Sequence, residues 1–125
     1  MTDLLDTSVL ISDDPIRTAS AVSVVSLVEL ASGINRPGLS PAETRVRRTR
    51  WTAIESMFAP IPVDRPVLLA YLQVDQAVRS VGRDPRPRRM DLLIAATALA
   101  HDLRLLTRNP ADFVGLEHLI EVATP

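Results

Sequence analysis

The sequence contains no cysteine, and only 3% of its 125 residues are aromatic. Without cysteine, the chain cannot form a disulfide, use a thiolate nucleophile or bind zinc through sulfur. It also contains no lysine, which excludes mechanisms that need an amine nucleophile and makes all 14 basic residues arginine. With so few aromatic residues, a core must be built from Leu, Val, Ile and Ala.

The chain also lacks the segments that direct a protein into or across a membrane. Its first residues have neither the basic start nor the long apolar stretch of a signal peptide. Its most apolar run, around residues 92–100, is shorter than the roughly 20 residues that span a bilayer. We therefore expect a soluble cytoplasmic protein that forms a single domain over residues 1–125.

The net charge of −1 argues against a generic duplex-DNA binder with an overall positive field. The arginines nevertheless form two clusters, one over residues 45–50 and one over residues 83–89. A charged helix face is usually just solvated, and that is the expectation for the first cluster. The second cluster lies in a rigid linker with two prolines, where it either balances nearby acids or holds a phosphodiester.

Apolar segments of strand and helix type alternate along the chain, which predicts a three-layer α/β/α sandwich around a mostly parallel sheet of about five strands. Strands are expected near residues 3–6, 19–23, 61–63, 104–107 and 120–123. Helices are expected near residues 7–11, 24–32, 41–59, 65–81 and 90–102. The clearest helix start is Ser40-Pro41-Ala42-Glu43, which combines a capping box with proline at the first helical position.

Two of these helices carry apolar stripes that we expect to face the core or a partner. They are Val46, Trp51, Ile54, Met57 and Phe58 on the helix over 41–59, and Leu68, Leu69, Leu72, Val78 and Val81 on the helix over 65–81.

Acidic residues recur where the predicted strands end and the helices begin. Asp6 and Asp112 follow strands, Asp91 opens a helix, and Glu29 lies a turn or more inside another. In a parallel sheet these positions share one edge, so the carboxylates could converge there. Crowded carboxylates repel each other, and a divalent ion with a preference for oxygen, such as magnesium or manganese, would relieve that repulsion. The alternatives are helix caps for Asp6 and Asp91 and a solvent-facing Glu29.

Four segments, spread in this order over nearly the whole chain, together resemble a PIN domain, specifically a VapC-type toxin of a bacterial toxin–antitoxin pair. They are Asp6-Thr7-Ser8-Val9-Leu10-Ile11, Ser23-Val24-Val25-Ser26-Leu27-Val28-Glu29-Leu30-Ala31-Ser32-Gly33, Asp91-Leu92-Leu93-Ile94-Ala95-Ala96-Thr97-Ala98-Leu99-Ala100 and Leu106-Thr107-Arg108-Asn109-Pro110-Ala111-Asp112-Phe113.

The resemblance implies an endoribonuclease that depends on Mg²⁺ or Mn²⁺, cleaves cellular RNA (tRNA, rRNA or mRNA) through a metal-activated water, and inhibits translation. It also implies a homodimer that binds a cognate VapB-type antitoxin, whose tail occupies the active-site groove. The residues that match the family's acidic site, as catalytic residues and metal ligands, are Asp6, Glu29, Asp91 and Asp112. Those that match its supporting hydrogen-bond donors are Ser8, Thr107 and Asn109.

Three other classes of protein were considered against the same residues. A two-component receiver domain needs paired acids near the N-terminus and a later lysine, which this chain lacks. A haloacid-dehalogenase-type phosphatase needs Asp-x-Asp after the first strand, but Ser8 occupies the second position. The remaining alternative is a non-catalytic PIN-like module that binds RNA or sequesters an antitoxin.

Overall fold

The computed structural model describes residues 2–16 and 19–125. Its strands are β1 (Asp3–Leu5), β2 (Ala21–Val22), β3 (Arg104–Leu106) and β4 (Val122–Ala123). Its helices are α1 (Thr7–Leu10), α2 (Val24–Ile34), α3 (Pro41–Phe58), α4 (Arg65–Ser80) and α5 (Arg89–Ala100), and two 3₁₀ turns lie at Arg86–Arg88 and Pro110–Phe113. Within the described residues no helix is both long and apolar enough to cross a membrane.

All four strands are parallel, in the order β2-β1-β3-β4. The two central strands pair in register, with Leu4 opposite Leu105. Strand β1 is therefore in the middle of the sheet, and the residue that follows it emerges at the centre of the carboxyl edge. The predicted α/β fold with a mostly parallel sheet is confirmed.

The number of strands is smaller than the five we expected. The segment predicted as a strand at residues 61–63 forms only one parallel bridge, between Ile61 and Ser23. Ile61 exchanges hydrogen bonds there, donating its N–H to Val22 and accepting from Val24. The pairing ends there because Ala59, the preceding residue that could bond to β2, has the left-handed φ of 45° that closes α3, and because Val24 already begins α2.

Adjacent residues of β1 face opposite sides of the sheet, so each side has its own core. Leu4 belongs to a core that includes Val67 and Val74 of α4 and the buried residues of α5. Leu5 belongs to a second core with Val9 of α1, Leu27 of α2 and Ile54 of α3. The sheet thus lies between two helical layers, as expected.

Helix α5 is buried on most of its surface, which its run of alanine and leucine predicted. Ala95, Ala96 and Ala98 have no exposed surface, and their small side chains let α4 and the sheet pack closely against the helix backbone. The helix start predicted at Ser40 is also confirmed, because Ser40 accepts a hydrogen bond from the Glu43 N–H and Pro41 is the first helical residue.

Two details of the helices differ from the sequence-based expectation. Helix α2 continues through Gly33, which was expected to end it, and closes at Asn35. Helix α4 buries a different face from the one predicted: its core residues are Val67, Ala70, Val74, Ala77 and Val78. Of the predicted stripe only Val78 is buried, whereas the other four members are 50–67% exposed: Leu68, Leu69, Leu72 and Val81. Because α4 is apolar on two faces, the sequence pattern alone could not select the buried one.

The stripe predicted on α3 is buried only in part. Ile54 is buried and Trp51 is half-buried, with its indole N–H donating to the Leu27 carbonyl at 2.9 Å. Val46 and Met57 are instead 61% and 68% exposed. Phe58, at the C-terminal end of α3, also packs against the second core, so Trp51, Ile54 and Phe58 anchor the second half of the helix.

Candidate functional site

The four acids predicted to form the site lie on elements that meet at the carboxyl edge of the sheet. Asp6 follows β1 directly, and Asp91 is in the first turn of α5. Glu29 is in the middle of α2, and Asp112 is in the 3₁₀ turn after β3. Asp6 is held to the neighbouring strand by its backbone N–H, which donates to the Leu106 carbonyl at 2.9 Å.

Asp6 is the most deeply buried of these acids, with only 3% of its surface exposed. Its Oδ2 accepts hydrogen bonds from the Ser8 and Thr107 hydroxyls, each at 2.8 Å. Its Oδ1 is buried and has no hydrogen-bond partner among the described residues. A buried carboxylate oxygen without a partner is costly, and a cation could satisfy it. Asp6 stands at the N-cap position of α1, but its side chain makes no capping hydrogen bond.

Ser8 and Thr107 belong to a small network that holds Asp6 in one orientation. The Ser8 hydroxyl also accepts from the Arg108 backbone N–H, and the Thr107 hydroxyl accepts from that of Asn109, both at 3.0 Å. Asn109 therefore contributes through its backbone, and its side chain makes no hydrogen bond with the rest of the described chain. The network ties the loop after β3 to the start of α1.

Glu29 is half-buried rather than solvent-facing. The Thr7 hydroxyl donates to Glu29 Oε1 at 2.6 Å and lies 3.0 Å from the Ser26 hydroxyl. Burial raises the pKa of Glu29, the bond from Thr7 lowers it, and the charge of Asp6 raises it. Thr7 was not among the predicted site residues, although its place beside Asp6 in the first segment was a signal for it.

Asp91 shows most directly that the acids interact. Burial and, after it, the charges of Asp6, Glu29 and Asp112 together raise its pKa to about 6, while the charge of Arg88 lowers it. Asp91 lies in the first turn of α5, but the residue at the N-cap position is Arg88, whose side chain makes no capping bond. The carboxyl group of Asp91 is therefore in a negative field created by the other three acids.

Asp112 is paired with an arginine from the other side of the site. Arg88 Nη1 donates to Asp112 Oδ1 at 2.6 Å, and each side chain is 34% exposed. Arg88 is in the 3₁₀ turn that leads straight into α5, three residues before Asp91. This member of the linker cluster thus balances an acid of the site.

The oxygen atoms of the four acids suit a divalent cation, but the side chains are not arranged so that three of them could coordinate one. Over residues 2–16 and 19–125, no three acidic or histidine side chains are placed together so that they could hold an ion. Glu29 is engaged by Thr7 and Asp112 by Arg88, so both carboxylates have other partners. The donors are all oxygen, which suits magnesium or manganese, and the unpartnered Oδ1 of Asp6 is the clearest position for one.

The parallel sheet and the acids at its carboxyl edge define an α/β protein with an acidic site at the end of its central strands. Residues 4–114 match the PIN domain family, and the chain belongs to that family. The resemblance seen in the sequence is thereby confirmed. PIN domains are generally nucleases, so membership supports a nuclease.

Solved structures agree with this assignment. The chain is similar to VapBC-5 from Mycobacterium tuberculosis, a member of the VapBC family of toxin–antitoxin systems, with a TM-score of 0.80 and 26% identity over 98% of this chain and 96% of that one. It is also similar to FitAcB from Neisseria gonorrhoeae, with a TM-score of 0.75 and 26% identity over 96% and 95% of the two chains.

A third structure, DNA-bound VapBC from Salmonella typhimurium, shares the fold at 19% identity, with a TM-score of 0.76 over 99% of this chain and 98% of that one. No curated protein matches the chain.

Proposed function

We propose that this protein is an endoribonuclease that depends on a divalent metal ion and acts as the toxin of a toxin–antitoxin pair. The observation that carries the proposal is the buried, unpartnered Oδ1 of Asp6 in a site where Asp91 has a pKa of about 6. Repulsion among the acids destabilises the site without a cation, and a divalent cation would remove that repulsion. The reaction class is hydrolysis of a phosphodiester bond in cellular RNA, which would inhibit translation.

In this proposal Asp6 and Asp91 bind the metal ion, and Glu29 and Asp112 complete its coordination directly or through water. Bound there, Mg²⁺ or Mn²⁺ would activate a water for attack on phosphorus and stabilise the leaving oxygen.

The other residues of the site orient these ligands. Ser8 and Thr107 hold one oxygen of Asp6 and leave Oδ1 available to a ligand. Thr7 positions Glu29, and Arg88 holds Asp112 while it offsets part of the negative charge. Thr7 and Arg88 each engage one oxygen of these carboxylates, so the second oxygen of Glu29 and of Asp112 is the one that would complete the coordination.

An antitoxin partner is supported by the likeness to VapBC-5. We propose a cognate VapB-type antitoxin whose tail occupies the active-site groove.

A homodimer is supported by the exposed apolar face of α4, where Leu68, Leu69 and Leu72 are each at least half exposed. A contiguous patch of large apolar side chains is typical of a protein–protein interface.

One observation favours the second candidate, a non-catalytic module that binds RNA or sequesters an antitoxin. Among the described residues no three acidic or histidine side chains are placed together so that they could hold an ion, and Thr7 and Arg88 fix one oxygen each of Glu29 and Asp112. If the acids cannot move closer together, the site would bind metal too weakly for cleavage.

The test is RNA cleavage by purified protein free of antitoxin, in Mg²⁺ or Mn²⁺ and in chelator, with the Asp91→Asn variant in parallel. The substitution removes a charge while nearly keeping the shape. Discrete fragments that disappear in chelator and in the variant would support the nuclease. No cleavage of a panel that includes tRNA and rRNA, by folded protein, would support the non-catalytic module. Cleavage that survives both chelator and the variant would refute the metal mechanism.

A further inference from the structure

We infer that a pocket between α2 and α3 is a subsite for one nucleotide of the RNA strand next to the cleaved bond, with Arg47 and Arg50 binding its phosphate. The inference rests on the proposed endoribonuclease function and assigns its substrate contacts.

The pocket opens directly from the acidic site. It has a volume of about 450 Å³, within the range of about 300–1,000 Å³ that is typical of ligand pockets. Two of its lining residues, Thr7 and Glu29, are the pair that forms one side of the acidic site. An RNA strand that places a phosphodiester at the acids therefore has this pocket as a neighbouring space for its next nucleotide.

Neither arginine of the pocket is paired with a carboxylate of the described residues, although Glu29 lines the same pocket. Arg47 and Arg50 are half-buried on α3, and neither forms an ion pair with any residue of the described chain. Six other described arginines also lack an ion pair, but Arg47 and Arg50 are the only two described arginines that line this pocket. An unbalanced guanidinium on a pocket wall favours an anion, and guanidinium geometry matches phosphate.

The two guanidinium groups are held differently. Arg47 Nη1 donates to the Gly33 carbonyl near the end of α2 at 3.0 Å, which anchors the side chain across the pocket. A Cβ added at Gly33 would approach Arg47 Nη1 to 3.3 Å, so the glycine leaves room for this position of the arginine. Arg50 makes no hydrogen bond within the described chain, and all of its donors are available to a ligand.

Apart from Thr7 and Glu29 on the side of the acidic site, the rest of the lining suits a base. Ile11 and Leu30 supply apolar surface, and Ile11 is 53% exposed. Apolar contact with a base face does not depend strongly on which base is present. Guanidinium groups beside an apolar wall thus match the two parts of a nucleotide, its phosphate and its base.

The test measures RNA binding without cleavage, in the full-length Asp91→Asn protein. The probe is a short fluorescein-labelled single-stranded RNA of mixed sequence, and affinity is followed by fluorescence anisotropy over a range of salt concentrations. Arg47→Ala and Arg50→Ala are each expected to weaken binding about tenfold, the size of one charge-assisted hydrogen bond. Each should also reduce the slope of log K against log salt by about 0.7.

The matched control is Arg48→Ala, which removes the same charge from the same helix at an exposed position outside the pocket. It should weaken binding by less than about twofold. Thermal unfolding of every variant confirms that it is folded, and Arg50→Gln replaces Arg50→Ala if the alanine variant is not.

Two results would refute the proposal that the pocket is a nucleotide subsite. One is that the pocket variants bind RNA as the Arg48 control does. The other is that they bind RNA normally but no longer bind an antitoxin peptide, which would make the pocket a protein site. With either result, the proposed endoribonuclease function still holds if protein with native Asp91 cleaves RNA. Conversely, weakened RNA binding by the pocket variants of a protein that never cleaves would support the subsite and refute the enzyme.

Discussion

Replacing Asp91 with asparagine should stabilise the metal-free protein at neutral pH, although it removes a proposed metal ligand. In the folded protein, burial and the charges of Asp6, Glu29 and Asp112 disfavour the ionised form of Asp91. Asparagine has nearly the same shape but no charge, so the variant avoids this penalty. If Asp91 served only to stabilise the fold, its replacement by asparagine would lower the stability of the protein.

The pKa of Asp91 sets the size of the effect. Its rise from 3.8 to about 6 corresponds to about 3 kcal/mol between the two protonation states. Because Asp91 is only half-buried, solvent screening reduces the expected gain to about 1–1.5 kcal/mol. For a chain of this length that is an increase in melting temperature of about 3–8 °C.

The dependence on pH has a definite sign. A carboxyl group with a raised pKa in the folded state is protonated in both states at low pH, and there it has no effect on stability. Its penalty develops as pH rises from about 4 to about 6 and is complete above that. The stabilisation of Asp91→Asn over the wild type should therefore be near zero at pH 4 and fully present at pH 7.

The assay is urea and thermal denaturation of both proteins in chelator at pH 4 and pH 7. Glu55→Gln, a carboxylate-to-amide change at an exposed position of α3, is the matched control and should have little effect. Adding Mn²⁺ at pH 7 should stabilise the wild type more than the variant. If Asp91→Asn is no more stable than the wild type at pH 7, the acids do not repel one another and the reasoning for a cation site fails.

Three further outcomes are expected. Thr107→Val should destabilise the protein by about 1–3 kcal/mol in urea denaturation and weaken Mn²⁺ binding, because Asp6 loses one of the two donors to its Oδ2. Arg88→Ala should raise the pKa of Asp91 above about 6 in an NMR titration, since the Arg88 charge lowers that pKa. Leu72→Glu should shift the protein from dimer to monomer in analytical ultracentrifugation with little loss of monomer stability, because Leu72 is 67% exposed.

The first two of these predictions have matched control variants. Thr97→Val removes a buried hydroxyl that donates within α5, so it should leave Mn²⁺ affinity unchanged. Arg79→Ala removes an exposed arginine far along α4 and should not move the Asp91 titration. An unchanged Asp91 pKa in Arg88→Ala, or an unchanged sedimentation coefficient in Leu72→Glu, would contradict the corresponding prediction.

Local chemistry was enough to predict most of the elements and the fold class. Ser40 begins a helix because its hydroxyl caps the Glu43 N–H, and both groups are close in sequence. Gly82 ends α4 as expected, with a φ of 78° that favours glycine. The alternation of such segments also predicted the parallel sheet and the edge at which Asp6 and Asp112 lie.

The predicted strand at residues 61–63 shows where local pattern was insufficient. Its composition suited a strand, but the pairing depends on the neighbouring elements, and the end of α3 at Ala59 and the start of α2 at Val24 limit it to one bridge. The sequence also could not determine which face of α4 is buried, for a related reason. Both faces are apolar, and contact with α5 and the sheet selected the one that contains Val74.

The sequence could not decide whether the acids form a shared site or act as helix caps and solvent-facing residues, because their hydrogen-bond partners are distant along the chain. Thr107 donates to Asp6 from 101 residues away, and Thr7 reaches Glu29 across 22. Residue type and spacing therefore determined which acids reach one edge of the sheet. Only the tertiary structure decided that Asp6 is buried with a free oxygen rather than capping α1, because burial and long-range hydrogen bonds exist only once the strands are paired.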